Sequence, residues 1–188
     1  MIRLLSVAKE LQDFCQEQNW RFCFIGGLAL QRWGEPRVTK DADLIVLTSF
    51  LEEEDYVDAL LSNFEPRRPD AREFALRHRV LLLKEKTGVP MDVSLAGLPF
   101  EEGVIERSSL SEFVPNISLR TCSAEDLVVL KSFAARSRDW GDVETIIARQ
   151  KGKLDWEYIL RELAPLAALK EEPEIVDRLK AIREKKQA

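Results

Sequence analysis

The arrangement of apolar residues changes near Thr121, and this change limits the folds open to the chain. Before Thr121, short β-rich runs alternate with stretches of helical spacing, whereas only helical spacing follows it. The sequence therefore predicts an α+β fold. We expect residues 1–120 to form a small mixed β-sheet of about four to six strands with helices on one face, and residues 121–188 to form a C-terminal helical part.

Individual elements follow from the same spacing and from turn residues. Strands are predicted at 21–25, 41–47, 79–83 and 89–95, with a weaker one at 113–119 that Pro115 interrupts. Helices are predicted at 4–18, 28–33, 51–63, 139–149, 156–169 and 174–186, and one more begins at a capping box over 123–126.

The scarcity of histidine narrows the possible chemistry. His78 is the only histidine, which disfavours a zinc site, a Ser-His-Asp triad and a Cys-His dyad. Cys15, Cys23 and Cys122 lie far apart and show neither metal-ligand nor disulfide spacing. Any catalysis is therefore expected to depend on carboxylates, lysines and a metal ion.

Charge and hydropathy limit the partners that the chain is expected to have. The net charge of −5 gives no overall positive field for nucleic acid. The one basic cluster, at Arg67, Arg68, Arg72, Arg77 and Arg79, could contact RNA phosphates or simply be a surface loop. No apolar run reaches the roughly 18 residues that a membrane span needs, and the apolar N-terminal stretch is short for a signal peptide. A cytoplasmic protein without a membrane partner is expected.

Gly26 and Gly27 lie between a predicted strand and a predicted helix. Glycine permits positive φ and close approach to the backbone. The free N–H groups at a helix start attract anions such as phosphate. Taken alone, the pair fits a tight turn equally well.

Asp41 and Asp43 stand two residues apart where a strand is predicted, so both side chains should point to one face. Adjacent carboxylates repel each other unless a proton or a cation lies between them, and Mg²⁺ prefers oxygen ligands. A solvated strand edge is the alternative. Asp92 lies in a later strand between apolar neighbours, and is either a third metal ligand or an exposed edge residue.

The order of these features resembles the DNA polymerase β-type nucleotidyltransferase superfamily. The stretch from Gly26-Gly27-x-Ala29 to Arg37-x-Thr39-Lys40-Asp41-x-Asp43 is most similar to its AbiEii/AbiGii toxin branch. Later segments, with Lys131 on one helix and Arg138-Asp139-x-x-Asp142 opening the next, resemble the helical motif of that branch.

The resemblance implies a role for each matching residue. Gly26 and Gly27 would hold the triphosphate, and Asp41, Asp43 and Asp92 would ligate Mg²⁺ or Mn²⁺. Asp92 would also help to deprotonate the attacking hydroxyl. Lys131 would contact the triphosphate or the charge that develops on it, although a solvated lysine is the alternative. Asp139 and Asp142 would fix the two helices or contact the substrates.

The resemblance also implies a reaction. A nucleoside monophosphate would pass from a nucleoside triphosphate to a hydroxyl or phosphate acceptor, with release of pyrophosphate. A tRNA or a protein is the favoured acceptor, and the chain would be a toxin with a cognate antitoxin as partner. Two alternatives stay open: an antibiotic nucleotidyltransferase, and a catalytically silent module that binds a nucleotide or a partner.

Overall fold

A mixed β-sheet lies at the centre of the first two thirds of the chain in the computed structural model, which describes residues 1–48 and 52–187. Its strands are β1 (Phe22–Phe24), β2 (Ala42–Leu47), β3 (Glu65–Pro66), β4 (Val80–Lys84), β5 (Pro90–Ala96), β6 (Ser109–Val114) and β7 (Ile117–Thr121). They lie in the order β3-β4-β5-β2-β1-β7-β6. The β2–β5 and β1–β7 pairs are parallel and the others antiparallel.

The sheet has seven strands over the described residues, more than the four to six predicted. Pro115 does not interrupt one weak strand. It lies with Asn116, which has a φ of 70°, in the turn of a β6–β7 hairpin that pairs Val114 with Ile117. Proline followed by a residue of positive φ suits such a turn. The remaining strand, β3, has two residues, too few to show any period.

The described helices are α1 (Ile2–Glu17), α2 (Gly26–Trp33), α3 (Glu53–Asn63), α4 (Ala71–His78), α5 (Pro99–Glu106), α6 (Ala124–Ala134), α7 (Ser137–Gln150), α8 (Trp156–Leu169) and α9 (Glu174–Gln187). Two of them, α4 and α5, were not predicted, since eight residues span only about two turns and show little helical periodicity. The predicted helix start at Leu51 lies outside the described residues. The predicted cap of α6 is confirmed, because the Ser123 hydroxyl accepts a hydrogen bond from the Asp126 N–H at 3.0 Å.

The chain folds into two compact units. The first, Met1–Leu28 with Val38–Cys122, contains the sheet. In this unit α1 packs against β7, α4 packs against β4, and α3 packs against α4. Alternate strand residues supply the core, for example Leu44 of β2 and Val93 of β5, both fully buried. The residues between them point to the opposite face of the sheet, and these include Asp43, Asp92 and Ser94.

The second unit joins Ala29–Arg37 to Ser123–Ala188. Helix α6 packs against α7 and α8, and α9 packs against both of the latter. Val128, Ile146, Ile159 and Leu179 are among its buried apolar side chains. Over the described residues, no helix combines the length and the apolar content of a membrane span.

Candidate active site

Strand pairing brings the glycine turn, Asp43 and Asp92 to the same end of the sheet. Antiparallel pairing sets Phe24 of β1 against Leu44 of β2, so the chain leaves β1 where β2 begins. The N–H of Ile25 donates to the Asp43 carbonyl at 2.9 Å. Parallel pairing sets Asp43 directly opposite Asp92. Directly paired residues share a face of the sheet, so these two carboxylates are neighbours.

Gly26 makes room for the Asp43 side chain. Its φ is +58°, and a Cβ built there would lie 2.0 Å from Asp43 Oδ2 and 2.9 Å from Asp43 Cβ. Any side chain at position 26 would therefore combine an unfavourable backbone conformation with a collision. The glycine turn is packed against the candidate metal ligand.

Gly27 likewise makes room for the segment that carries Asp41. A Cβ on Gly27 would lie 2.2 Å from Thr39 Oγ1. That hydroxyl donates a hydrogen bond to Asp41 Oδ1 at 3.0 Å. The two glycines thus accommodate Asp43 directly and Asp41 through Thr39, a residue to which the sequence analysis gave no separate role.

Asp92 differs electrostatically from an ordinary surface carboxylate. Partial burial raises the pKa of Asp92, the negative charge of Asp41 raises it further, and the positive charge of Arg67 opposes them without cancelling them. A raised pKa means that the surroundings disfavour the negatively charged form of Asp92. A divalent cation bound nearby would stabilise that form. Asp41 is therefore within electrostatic reach of Asp92.

The arginine cluster noted in the sequence is largely neutralised. Arg68 pairs with Asp70, Arg72 with Asp58 and Glu54, and Arg79 with Glu53. Arg67 instead pairs with Asp92 of the candidate site. Four of the five arginines thus already face carboxylates, and the cluster is not an open basic surface.

The donor set fits a hard divalent cation in its chemistry. Asp41, Asp43 and Asp92 offer only carboxylate oxygens, which Mg²⁺ and Mn²⁺ accept. Within residues 1–48 and 52–187, however, no three His, Cys, Asp or Glu side chains are close enough to chelate an ion as they stand. Cation binding at all three would require the side chains to draw together, with Arg67 as a competitor at Asp92.

Lys131, Asp139 and Asp142 belong to the second unit and form a charge network there. Lys131 Nζ lies 3.0 Å from Asp139 Oδ1 and 2.7 Å from Asp142 Oδ2. Arg37 donates two hydrogen bonds of 2.8 Å to the Asp142 carboxylate. Lys131 is 6% exposed and the two aspartates 5% each, so this network is nearly buried.

The network explains why the pKa of Asp142 is lowered. Burial alone would raise its pKa, but hydrogen bonds from Arg37 and Lys131 outweigh burial and lower it. Asp139 is less well satisfied, since its buried Oδ2 has no hydrogen-bond partner. Lys131 is therefore not a solvated lysine. Its contact with a triphosphate stays a prediction, alongside a structural role that the sequence did not indicate.

Gly26 and Gly88 offer a matched test of the glycine turn. Both have positive φ, but a Cβ on Gly88 would meet nothing within 4 Å. Gly88→Ala should cost only the backbone strain, about 1 kcal/mol of unfolding free energy. Gly26→Ala adds the collision with Asp43, for about 2–4 kcal/mol in all. Urea unfolding of both variants measures the difference; equal losses would show that Gly26 does not pack against Asp43.

A family model for the nucleotidyl transferase AbiEii toxin of type IV toxin–antitoxin systems matches residues 11–185. The chain belongs to this family. As an AbiEii-type protein it is a nucleotidyltransferase with a nucleotide substrate, which confirms the predicted family and enzyme class. The family also gives a toxin–antitoxin context, but it does not identify the acceptor. No curated protein matches the chain significantly.

One of three similar solved structures supports a nucleotidyltransferase-like fold for this chain. An antigenic nucleotidyltransferase-like protein from Paracoccidioides brasiliensis is 19% identical, with 95% of this chain and 92% of that chain covered at a TM-score of 0.52. The antibiotic-resistance factor ANT(2'')-Ia is 14% identical over 96% and 91%, at a TM-score of 0.45. The lincosamide antibiotic adenylyltransferase LnuA is 13% identical over 73% and 92%, at 0.46. The first supports the fold alone, and the other two are too distant to support a conclusion.

Proposed function

We propose that this nucleotidyltransferase uses Asp41, Asp43 and Asp92 to hold Mg²⁺ or Mn²⁺ and transfers a nucleoside monophosphate to a hydroxyl or phosphate of a tRNA or a protein. The observation that carries the proposal is the register of β2 and β5, which sets Asp43 directly opposite Asp92. Gly26 packs against Asp43 at the same end of the sheet. Carboxylates thus gather beside a helix start that is suited to phosphate.

The chain's own groups would divide the work as follows. The backbone N–H groups at the start of α2, at Gly26 and Gly27, bind triphosphate oxygens. Asp41 and Asp43 hold the cation, which would supply positive charge to the reacting phosphate and the leaving pyrophosphate. Asp92 would also hold the cation, and it would accept the proton of an acceptor hydroxyl.

The reaction is a substitution at the α-phosphorus. The acceptor oxygen forms a bond to this phosphorus, and the bond between the α- and β-phosphates breaks. The electron pair leaves with pyrophosphate, and the proton of the acceptor hydroxyl moves to Asp92. Catalysis then depends on positioning and on charge stabilisation, as in other phosphoryl transfers.

The acceptor would approach Asp92 across the face of the sheet opposite the core. Ser94 follows Asp92 by two residues and shares its face, about 7 Å along the strand. Ser94 also lines a cavity of about 390 Å³, together with His78, Val80 and Leu98. A cavity of this size takes one nucleotide or one sugar-sized group. It therefore supports either the end of a larger acceptor or a small molecule such as an antibiotic, the second candidate.

Substitution of Ser94 tests this approach. Ser94→Phe would fill the cavity, so we expect the KM for the acceptor to rise about tenfold or more, the equivalent of about 1.4 kcal/mol. The affinity for the nucleoside triphosphate should not change. Ser6→Phe, at an exposed position of α1, is the control. A Ser94→Phe enzyme with an unchanged acceptor KM would place the acceptor elsewhere.

The reaction itself is tested with labelled nucleoside triphosphates. The enzyme is incubated with each one and Mg²⁺, in the presence of total tRNA, a protein extract or aminoglycoside and lincosamide antibiotics. Label transferred to tRNA or protein supports the proposed acceptor, and label on an antibiotic supports the second candidate. Binding of triphosphate without turnover on any acceptor would instead support a catalytically silent module.

A further inference from the structure

Arg67 reaches the candidate metal site from the end of β3. Its backbone N–H donates to the Leu82 carbonyl at 3.0 Å, and Leu82 is the residue of β4 paired with Asp92. From this position the guanidinium donates to Asp92 Oδ1. The side chains of Arg67 and Asp92 are 30% and 33% exposed, so both remain accessible to solvent.

This ion pair differs from those of the neighbouring arginines. Arg68 binds Asp70, and Arg72 binds Asp58 and Glu54, all of which lie outside the site. Arg67 alone among them places its charge on a carboxylate that Asp41 already repels. It supplies positive charge to Asp92, whose negative form is disfavoured by partial burial and by the charge of Asp41.

We propose that Arg67 competes with the divalent cation for Asp92, so that the arginine sets the cation concentration at which the site fills. The inference rests on the proposed function, in which Asp92 is a metal ligand. Cation binding releases the guanidinium, and release of the cation returns it. Arg67 thereby limits the repulsion within the site and weakens the binding of any cation there.

A positioning role for Arg67 would have the opposite effect. The guanidinium holds Oδ1 and leaves Oδ2, so it could in principle orient Asp92 for a metal ion. Repulsion between a guanidinium and a divalent ion that share one carboxylate scales with the product of their charges. One exposed hydrogen bond that orients a carboxylate contributes less than this repulsion. Competition is therefore expected to dominate, and removal of Arg67 should tighten cation binding.

The test is Mn²⁺ binding to the whole protein, measured by electron paramagnetic resonance without nucleotide. Arg67→Gln should lower the dissociation constant about five- to tenfold, the size of a partly exposed ion pair. Arg67→Lys, which keeps the charge, should stay within about twofold of wild type. Arg68→Gln removes the same charge from a neighbouring pair and should also have an effect of about twofold or less. Unchanged or weaker Mn²⁺ binding by Arg67→Gln would overturn the inference.

Asp43→Asn separates failure of the inference from failure of the proposed function. If wild type binds Mn²⁺ and Asp43→Asn does not, the site exists and the Arg67 variants test competition alone. If Asp43→Asn binds Mn²⁺ as wild type does, the proposed metal site is wrong and the inference falls with it. Thermal unfolding of each variant confirms that the protein is folded when binding is measured.

Discussion

Asp43→Asn is expected to lower the rate of nucleotidyl transfer by about three orders of magnitude or more. An amide carries no negative charge, so it would bind a divalent cation weakly between positions 43 and 92. The measurement is the release of pyrophosphate at saturating nucleoside triphosphate. The loss should appear in kcat, because charge on the reacting phosphates is greatest in the transition state.

Two controls keep this result specific to the site. Asp70→Asn removes a carboxylate of the same type from the ion pair with Arg68, and its rate should stay within about twofold of wild type. Thermal unfolding of Asp43→Asn shows whether the variant is folded when its rate is measured. A rate close to wild type for Asp43→Asn would remove this residue from the mechanism.

Lys131→Met is expected to destabilise the protein by about 3–5 kcal/mol. The lysine is the shared partner of Asp139 and Asp142, which are almost fully buried. Methionine preserves most of the volume but leaves the Asp139 carboxylate without a cation and Asp142 with Arg37 alone. Denaturant unfolding gives the loss, and Lys153→Met, at an exposed position, should change stability by about 0.5 kcal/mol or less.

The acid dependence of stability gives a second readout for the same variant. In the wild type, the pKa of Asp142 is lowered from its ordinary value of 3.8. A carboxylate with a lowered pKa contributes its full stability above the unfolded pKa and loses it as the pH falls through the folded pKa. Lys131→Met removes one of the hydrogen bonds that lower this pKa. The rise of unfolding free energy with pH in the acid range should therefore be shallower in the variant.

These results would decide what Lys131 does. A loss of stability without a change in the turnover of the folded fraction means that the lysine is structural. Wild-type stability with a large loss of turnover would instead support the predicted contact with the triphosphate. In that case the buried network would not require its lysine.

The local spacing of apolar and polar residues predicted many of the strands and helices. The period-two alternation around Asp92 correctly placed this residue in a strand, and the run after Asp41 placed Asp43 at the start of another. Asp-x-Asp spacing also predicted that two carboxylates lie on one face of a strand; this stays a prediction, because β2 begins at Ala42 and Asp41 lies just before it. What pattern could not provide was register, because pairing Asp43 with Asp92 depends on contacts between strands that are distant in sequence.

The missed features were those without a local signal. Arg67 looked like part of a basic cluster, and only the pairing of β4 with β5 brings its charge to Asp92. Thr39 lay inside the recognised motif, yet its packing against Gly27 depends on three-dimensional proximity. Lys131 was expected to reach phosphate because its helix resembles the helical motif of the family, with a solvated lysine as the alternative. Its burial depends on two aspartates from the following helix.

A crystal structure with Mn²⁺ and a non-hydrolysable nucleoside triphosphate tests the central claim most directly. We expect an anomalous manganese peak about 2.0–2.3 Å from carboxylate oxygens of Asp41 and Asp43, with the triphosphate against Gly26 and Gly27. Asp92 should turn towards the ion and away from Arg67. Manganese bound elsewhere, or a triphosphate remote from the two glycines, would contradict the account.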